Sequence, residues 1–278
     1  MINWWQSIVL GIVEGITEFL PISSTGHLTV TEKLMGVPID DASVTAYTAV
    51  IQIGAMIASI VYFWSDIVRF ATGWFGGLRN SEKRGTDYRM GWAIIAGFLP
   101  TAAIALIAEP LITGPLRSLW AVVAGLVGWS VVMFIGDRVG KQTRGEDNIT
   151  VKDGIILGLM QSLALVPGVS RSGATITTGL LLGLDRVTAT RMSFFLGIPT
   201  LVASGLYQAV KEGRHITDGV DWVSTIIGTA VSGVVAYAAI AWLLKFVSKN
   251  NFTGFIVYRV ILAAIIAVLL VTNVITAT

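Results

Sequence analysis

The stretch "GIVEGITEFLPISSTGH" runs from Gly11 to His27, and "GLMQSLALVPGVSRSGAT" runs from Gly158 to Thr175. Each has a glycine-led apolar helix, a proline, and a serine-rich turn that ends in glycine. Gly11 matches Gly158, Glu14 matches Gln161, and Ser23–Gly26 matches Ser170–Gly173. A connector and three long apolar segments follow each copy. Three is odd, so the second copy enters a membrane upside down relative to the first. That pattern predicts an inverted-topology repeat whose broken helices meet near the bilayer midplane and form the binding site. The expected fold class is an all-α polytopic membrane protein with six transmembrane helices and two re-entrant helix pairs. Residues 1–145 form the first repeat and 146–278 the second, within one integral membrane domain.

Composition supports a membrane setting. The chain has 278 residues, 54% of them hydrophobic and 13% charged, with a mean hydropathy of +0.76. A soluble domain carries far more charge. The formal net charge of +2 argues against a nucleic-acid partner, and the absence of cysteine excludes disulfides, thiol nucleophiles and Cys-ligated metals. The N-terminus, "MINWWQSIVLG", lacks a basic segment and a small-residue cleavage site, so it reads as mature protein. A span needs about 20 apolar residues. Thr45–Trp64, Met90–Ala108, Leu116–Ile135, Met192–Val210, Trp222–Leu244 and Phe255–Thr272 meet that need. Trp4–Leu20, Gly154–Val166 and Gly173–Leu184 are interrupted or too short, as re-entrant pieces are; such backbone is tolerated only where protein or water covers it.

The linkers Asp66–Arg89 and Asp137–Lys152 hold most of the basic residues and fall on one side of the spans between them. The positive-inside rule makes that side cytoplasmic and puts both termini outside. Lys245 and Lys249 then fall inside as well, whereas Lys211 and Arg214 fall outside, softened by Glu212, Asp218 and Asp221. The first re-entrant pair dips in from the external face and the second from the cytoplasmic face.

Glu14 and Glu18 are four residues apart and share one helical face. Ionisable groups inside an apolar segment are costly and mark function. Two such acids fit a hard divalent cation with oxygen ligands, Mg²⁺ or Ca²⁺. Ser23, Ser24 and Thr25 are suited to cap a helix, and a helix N-terminus also binds anions. His27 lies three residues past Ser24, where it can serve as base or acid. His215, in "KEGRHITDG", reads as solvated. In the second motif, Ser170, Ser172 and Thr175 offer hydroxyls around Arg171, whose planar fork suits a phosphate. Arg259, at the edge of a long apolar span, and Gln52, within one, are either site residues or helix–helix hydrogen bonders.

The two motifs resemble the signature motifs of the undecaprenyl pyrophosphate phosphatase family, known for bacitracin resistance. The resemblance covers essentially the whole chain. Glu14, Glu18, Ser23, Ser24 and His27 match the acidic, serine-rich motif. Ser170, Arg171, Ser172 and Thr175 match the phosphate-binding motif, and Arg259 matches a third basic position. The resemblance implies a bacterial plasma-membrane enzyme with its site open to the outer face. It would remove the terminal phosphate of a C55 polyprenyl pyrophosphate and so recycle the lipid carrier of cell-wall synthesis. Ser24 activated by His27, with Glu18 behind it, is the favoured nucleophile; direct attack by His27 is the rival. The acid-phosphatase-like lipid phosphatases are excluded, because Thr177 and Leu181 stand where their second motif needs His and Asp. A transporter or flippase of a polyprenyl phosphate lipid is the other reading, since broken inverted helices are typical of carriers. Small residues at helix faces allow a homodimer without requiring one, and membrane lipids surround the chain.

Overall fold

The computed structural model describes residues 2–38, 41–113, 118–212 and 221–277. Arg214, His215 and Asp218, and the first residues of the expected span Leu116–Ile135, lie outside the described residues. The elements are helices: α1 (Trp4–Thr17), α2 (Ser24–Leu34), α3 (Ala42–Tyr62), α4 (Trp64–Arg79), α5 (Thr86–Thr113), α6 (Leu119–Val139), α7 (Val151–Gln161), α8 (Arg171–Leu181), α9 (Arg186–Glu212), α10 (Trp222–Val247) and α11 (Thr253–Val271).

Local chemistry sets the helix starts. Asn3 caps α1 through Gln6 N–H, and the Gln6 side chain returns to Asn3 N–H. This reciprocal arrangement satisfies two donors that a helix otherwise leaves open. Thr150 and Asp153 do the same for α7. Asp221 caps α10, and the Ser224 hydroxyl and N–H hold its carboxyl below the ordinary carboxylate range.

Five helices, α3, α5, α6, α10 and α11, are long and apolar enough to cross a membrane. The sixth expected segment, Met192–Val210, lies in α9, a 27-residue helix of ample length. This helix is less apolar than the other five, and its Thr200, Ser204 and Gln208 line a cavity. The linker Asp66–Arg89 is not a plain connector: its first part is the helix α4. Ile67, Phe70, Trp74 and Phe75 of α4 line an apolar cleft of about 260 Å³ closed by α5 and α9. An amphipathic helix packed along its neighbours accounts for the basic, glycine-punctuated sequence.

Helix α1 packs chiefly on α10 and α7 on α5; α3 meets α9, and α6 meets α11. The matched glycines make the first two contacts. A Cβ at Gly11 would stand 2.5 Å from the Gly228 carbonyl oxygen, and one at Gly158 only 1.8 Å from that of Gly97. Backbones this close are the small-residue packing that membrane helices use in place of hydrophobic burial. Outward faces are apolar, with Ile107, Val234 and Val271 at 80%, 74% and 70% exposure, which suits a lipid surround and not water.

The two basic linkers meet at one end of the molecule. Arg69 pairs with Glu146, Arg191 with Asp66 at 2.8 Å, and Arg89 donates to the Asp147 carbonyl at 2.9 Å. The C-terminal segment gathers at the other end, where Lys33 donates to Thr276 and Leu119 N–H to the Ala277 carbonyl. Between the ends, Phe19, just after α1, sits edge-on to Phe194 at 5.5 Å, and Phe63 meets both Phe194 and Phe195 at 5.2 Å. This aromatic cluster fixes the first helix break against α9.

Candidate active site

Both proline-containing breaks turn through the same backbone device. Ser23 has φ 74° and Ser170 has φ 76°, a region that residues with a side chain rarely adopt. Strain of this kind costs about 1–3 kcal/mol and persists where the surroundings over-determine it. Each serine then caps the helix that follows: Ser23 Oγ accepts from Gly26 N–H at 3.4 Å, and Ser170 Oγ from Gly173 N–H at 3.2 Å. Ser24 is thereby the first residue of α2, and Arg171 the first residue of α8.

These two residues meet at one carboxylate. Ser24 donates its hydroxyl proton to Glu18 Oε2 at 2.7 Å, while Arg171 Nη2 lies 3.1 Å from Glu18 Oε1. Arg171 Nη1 donates to the Gly197 carbonyl of α9 at 3.0 Å. Both oxygens of Glu18 are thus engaged, and all three groups face a polar cavity of about 260 Å³. Ser23, Thr25, Gln52 and Ser170 also line it. An adjoining chamber of about 400 Å³ shares Ser24, Thr25, Gln52 and Gln208 and adds Glu14, Glu32, Thr45 and Thr48. Glu14 Oε1, Arg171 Nε and Gln161 Oε1 are buried with no hydrogen-bond partner among the described residues. Buried polar atoms are normally satisfied; orphans of both signs in two adjoining chambers are groups poised for a ligand.

Four expected site residues stand elsewhere. The cavity face of α2 carries Ser24, Thr25, Leu28, Thr29 and Glu32, and His27 lies off it. The His27 ring bonds the Ser23 carbonyl through Nδ1 and the Tyr258 hydroxyl through Nε2, both at 2.7 Å. Ser24 therefore has Glu18 as its hydrogen-bond acceptor in place of the expected His27. Ser172 is buried and donates to the Leu20 carbonyl at 3.0 Å, which ties the second motif to the first break. Thr175 turns back on its own helix, donating to the Arg171 carbonyl at 2.9 Å.

Arg259 takes the hydrogen-bonding alternative of its two readings. It is fully buried, away from the cavity. Its guanidinium donates to the carbonyls of Pro21 (3.0 Å), Gly168 (2.8 Å) and Val169 (3.2 Å), to those of Gly125 and Leu126 (both 3.3 Å), and to Ser130 Oγ (3.1 Å). Among the described residues no carboxylate pairs with it. All its donors are spent on the protein, so it pins the two breaks together and has none left for a substrate. Gly168 accepts this arrangement because it has φ 92° and a Cβ there would lie 2.2 Å from the Val122 carbonyl.

Sequence reasoning missed Thr101, Gln161, Thr200, Ser204 and Gln208, all of which line the first chamber. Gln161 donates to Thr200 Oγ1 at 2.9 Å. A signal was present: Thr200, Ser204 and Gln208 recur every four residues in an apolar segment, which places them on one helical face.

Glu14 and Glu18 differ in what they offer a cation. Glu18 has both oxygens committed, whereas Glu14 has one uncommitted. Around Glu14 the cavity offers only oxygen donors, the set a hard cation takes. No group of three or more acidic or histidine side chains in metal-binding geometry occurs among the described residues, so such an ion would keep water ligands.

The bacitracin resistance protein BacA family matches this sequence over residues 7–265. The chain belongs to this family. It is 52% identical over 283 residues to the undecaprenyl-diphosphatase of Cutibacterium acnes, covering 99% of this chain and 100% of that protein. It is 50% identical over 276 residues to undecaprenyl-diphosphatase 1 of Streptomyces avermitilis, covering 99% of each. Undecaprenyl-diphosphatase 3 of Frankia casuarinae is 49% identical over 277 residues, 99% of this chain and 100% of that protein. In this BacA family member the two motifs are the two breaks that carry Ser24 and Arg171.

Proposed function

We propose that the chain hydrolyses undecaprenyl pyrophosphate to undecaprenyl phosphate and inorganic phosphate, with Ser24 as nucleophile, Glu18 as its base and Arg171 as the group that carries the pyrophosphate charge. The observation behind this is the Ser24–Glu18–Arg171 array in a polar cavity between two broken helices. Family membership and the names of the relatives support the substrate. The released monophosphate is the lipid carrier of cell-wall synthesis, and its recycling accounts for bacitracin resistance.

The chemistry runs through this chain's own atoms. Ser24 Oγ attacks the terminal phosphorus while Glu18 Oε2 takes its proton. The bridging P–O bond breaks, and undecaprenyl phosphate leaves with that oxygen. Water then attacks the phosphoserine, the serine oxygen regains a proton, and inorganic phosphate departs. The starts of α2 and α8 both border the cavity, so their open N–H groups and dipoles favour the anion. Arg171 adds a full charge with its spare Nε–H. Phosphoryl transfer depends mainly on positioning and charge stabilisation of this kind. Glu14 would hold a divalent cation, Mg²⁺ or Ca²⁺, which supplies neutralisation of pyrophosphate oxygens when bound.

Purified protein in detergent, with no second compartment, should release phosphate from a polyprenyl pyrophosphate; a carrier would not. Glu14→Gln should shift the divalent-ion dependence to higher concentration while the fold is kept. An unchanged titration curve would remove Glu14 from the cation's site.

The protein lies in the bacterial plasma membrane in this reading, with the two repeats of residues 1–145 and 146–278 inverted and the site open to the outside. The basic linkers meet at one end, which the positive-inside rule makes cytoplasmic. The chamber holding Glu14 is bordered by Glu32 in the last turn of α2 and Thr45 near the start of α3, towards the opposite end. Single cysteines at Asn80 and Asn273, both exposed in a chain without cysteine, should label from opposite sides. Equal labelling from outside would overturn this topology.

A further inference from the structure

We infer that Tyr258 is a positioning residue for the attacking serine: its hydroxyl fixes the His27 ring so that the ring holds the Ser23–Ser24 turn. The inference rests on Ser24 as the nucleophile for its kinetic consequence only.

The internal repeat supplies the control. The Ser23 and Ser170 turns share backbone shape and capping, and position 27 of the first corresponds to Ala174 of the second. The second turn forms with only a methyl group there. It closes through Ala174 N–H to the Ser170 carbonyl at 2.9 Å and through its cap at 3.2 Å. The first closes more loosely: His27 N–H reaches the Ser23 carbonyl at 3.3 Å and the cap spans 3.4 Å. What the first turn has in addition is the His27 side chain on that same carbonyl at 2.7 Å. A histidine is not needed to make this turn, so its presence beside Ser24 serves the residue that reacts.

The ring's protonation follows from its partners. A carbonyl oxygen only accepts, so Nδ1 must carry hydrogen. In the neutral ring Nε2 is then bare, and the Tyr258 hydroxyl donates to it at 2.7 Å. Which nitrogen is protonated is set by the bond the other makes. With Tyr258 in place, Nδ1–H is directed at the Ser23 carbonyl, one residue from the hydroxyl that attacks. Tyr258 is 43% exposed, so replacing it with phenylalanine keeps the ring packing and removes the donor alone.

The test reads the ring directly. The chain has two histidines, so histidine-¹⁵N labelling in a His215→Asn background leaves the His27 ring as the single signal. The Tyr258-intact protein should show Nδ1 protonated and Nε2 bare. Tyr258→Phe leaves the Ser23 carbonyl on Nδ1–H and should shift the bare Nε2 resonance to that of an imidazole nitrogen without a hydrogen-bond donor. Steady-state kinetics on a short-chain isoprenyl pyrophosphate should show kcat lower by about tenfold with KM little changed, as small misplacement at a distance from the chemistry does. An Nε2-protonated ring in the Tyr258-intact protein would overturn the inference, whatever the variant's folding. Unchanged kcat in a folded Tyr258→Phe would do so too, and a loss confined to KM would make Tyr258 a substrate contact instead. The ring signal does not depend on which group attacks phosphorus, so a failure of the serine mechanism would be seen separately.

Discussion

Ser24→Ala should lower kcat by about 10⁴ or more, the scale on which removing an attacking atom acts in hydrolases that form a covalent intermediate. The Ser24 hydroxyl makes one hydrogen bond, to Glu18, so the variant should insert and fold as the parent does. Glu18→Gln tests the other side of the same contact. Glutamine has one oxygen where the carboxylate has two. Whichever way the amide turns, its NH₂ faces either Arg171 or the serine whose proton must be taken. General base catalysis is worth about 10²–10⁴ in rate, and that is the loss expected. Acid-quenched turnover with labelled substrate should trap a phosphoserine in the parent and none in Ser24→Ala. If Ser24→Ala kept parental turnover while His27→Ala lost it, the serine mechanism would be wrong and the histidine would be the attacking group.

The second large effect belongs to Arg171. Its guanidinium is held by Glu18 on one side and the Gly197 carbonyl on the other, with Nε left without a partner in the cavity. Alanine there should cost on the order of 10²–10³ in kcat, as removal of a transition-state charge stabiliser does. It would also leave Glu18 buried without its cation. Lysine keeps the charge but offers a single point of donation, so it cannot reach Glu18, Gly197 and substrate together; Arg171→Lys should still lose activity substantially. The loss should appear in kcat as well as KM, because the contact strengthens as charge develops on the leaving oxygens. A pure KM effect would reduce Arg171 to a docking group.

The sequence disclosed those features that lie within a few residues of one another. Paired breaks, matched glycines and the acid–serine spacing are local, and the structure brings Glu18, Ser24 and Arg171 together across the matched breaks. What stayed hidden is set by long-range packing. Arg259, at the edge of an apolar span, allows either a site role or hydrogen bonding between helices, and the choice is made by acceptors up to 238 positions away. His27 sits at a spacing compatible with Ser24 on a helix, yet the neighbouring α11 captures its ring. The helical nature of α4 was masked by its basic, glycine-containing composition, which reads as linker until α5 and α9 supply an apolar cleft for it. The polar stripe of α9 is legible as a period of four, but three polar residues in an otherwise apolar segment do not mark it out from an ordinary span.

The six bonds of Arg259 bear on how the protein is made. Its acceptors are Pro21 from the first break, Gly125, Leu126 and Ser130 from α6, and Gly168 and Val169 from the second break. The guanidinium itself is delivered by α11, which follows all of these acceptors in the chain. Until that helix inserts, the carbonyls of Pro21, Gly168 and Val169 lack this donor, and the two breaks meet without it, through Ser172 on the Leu20 carbonyl and Arg171 on Glu18. The clamp that closes the two breaks on α6 is therefore completed late in the chain's assembly, when α11 docks.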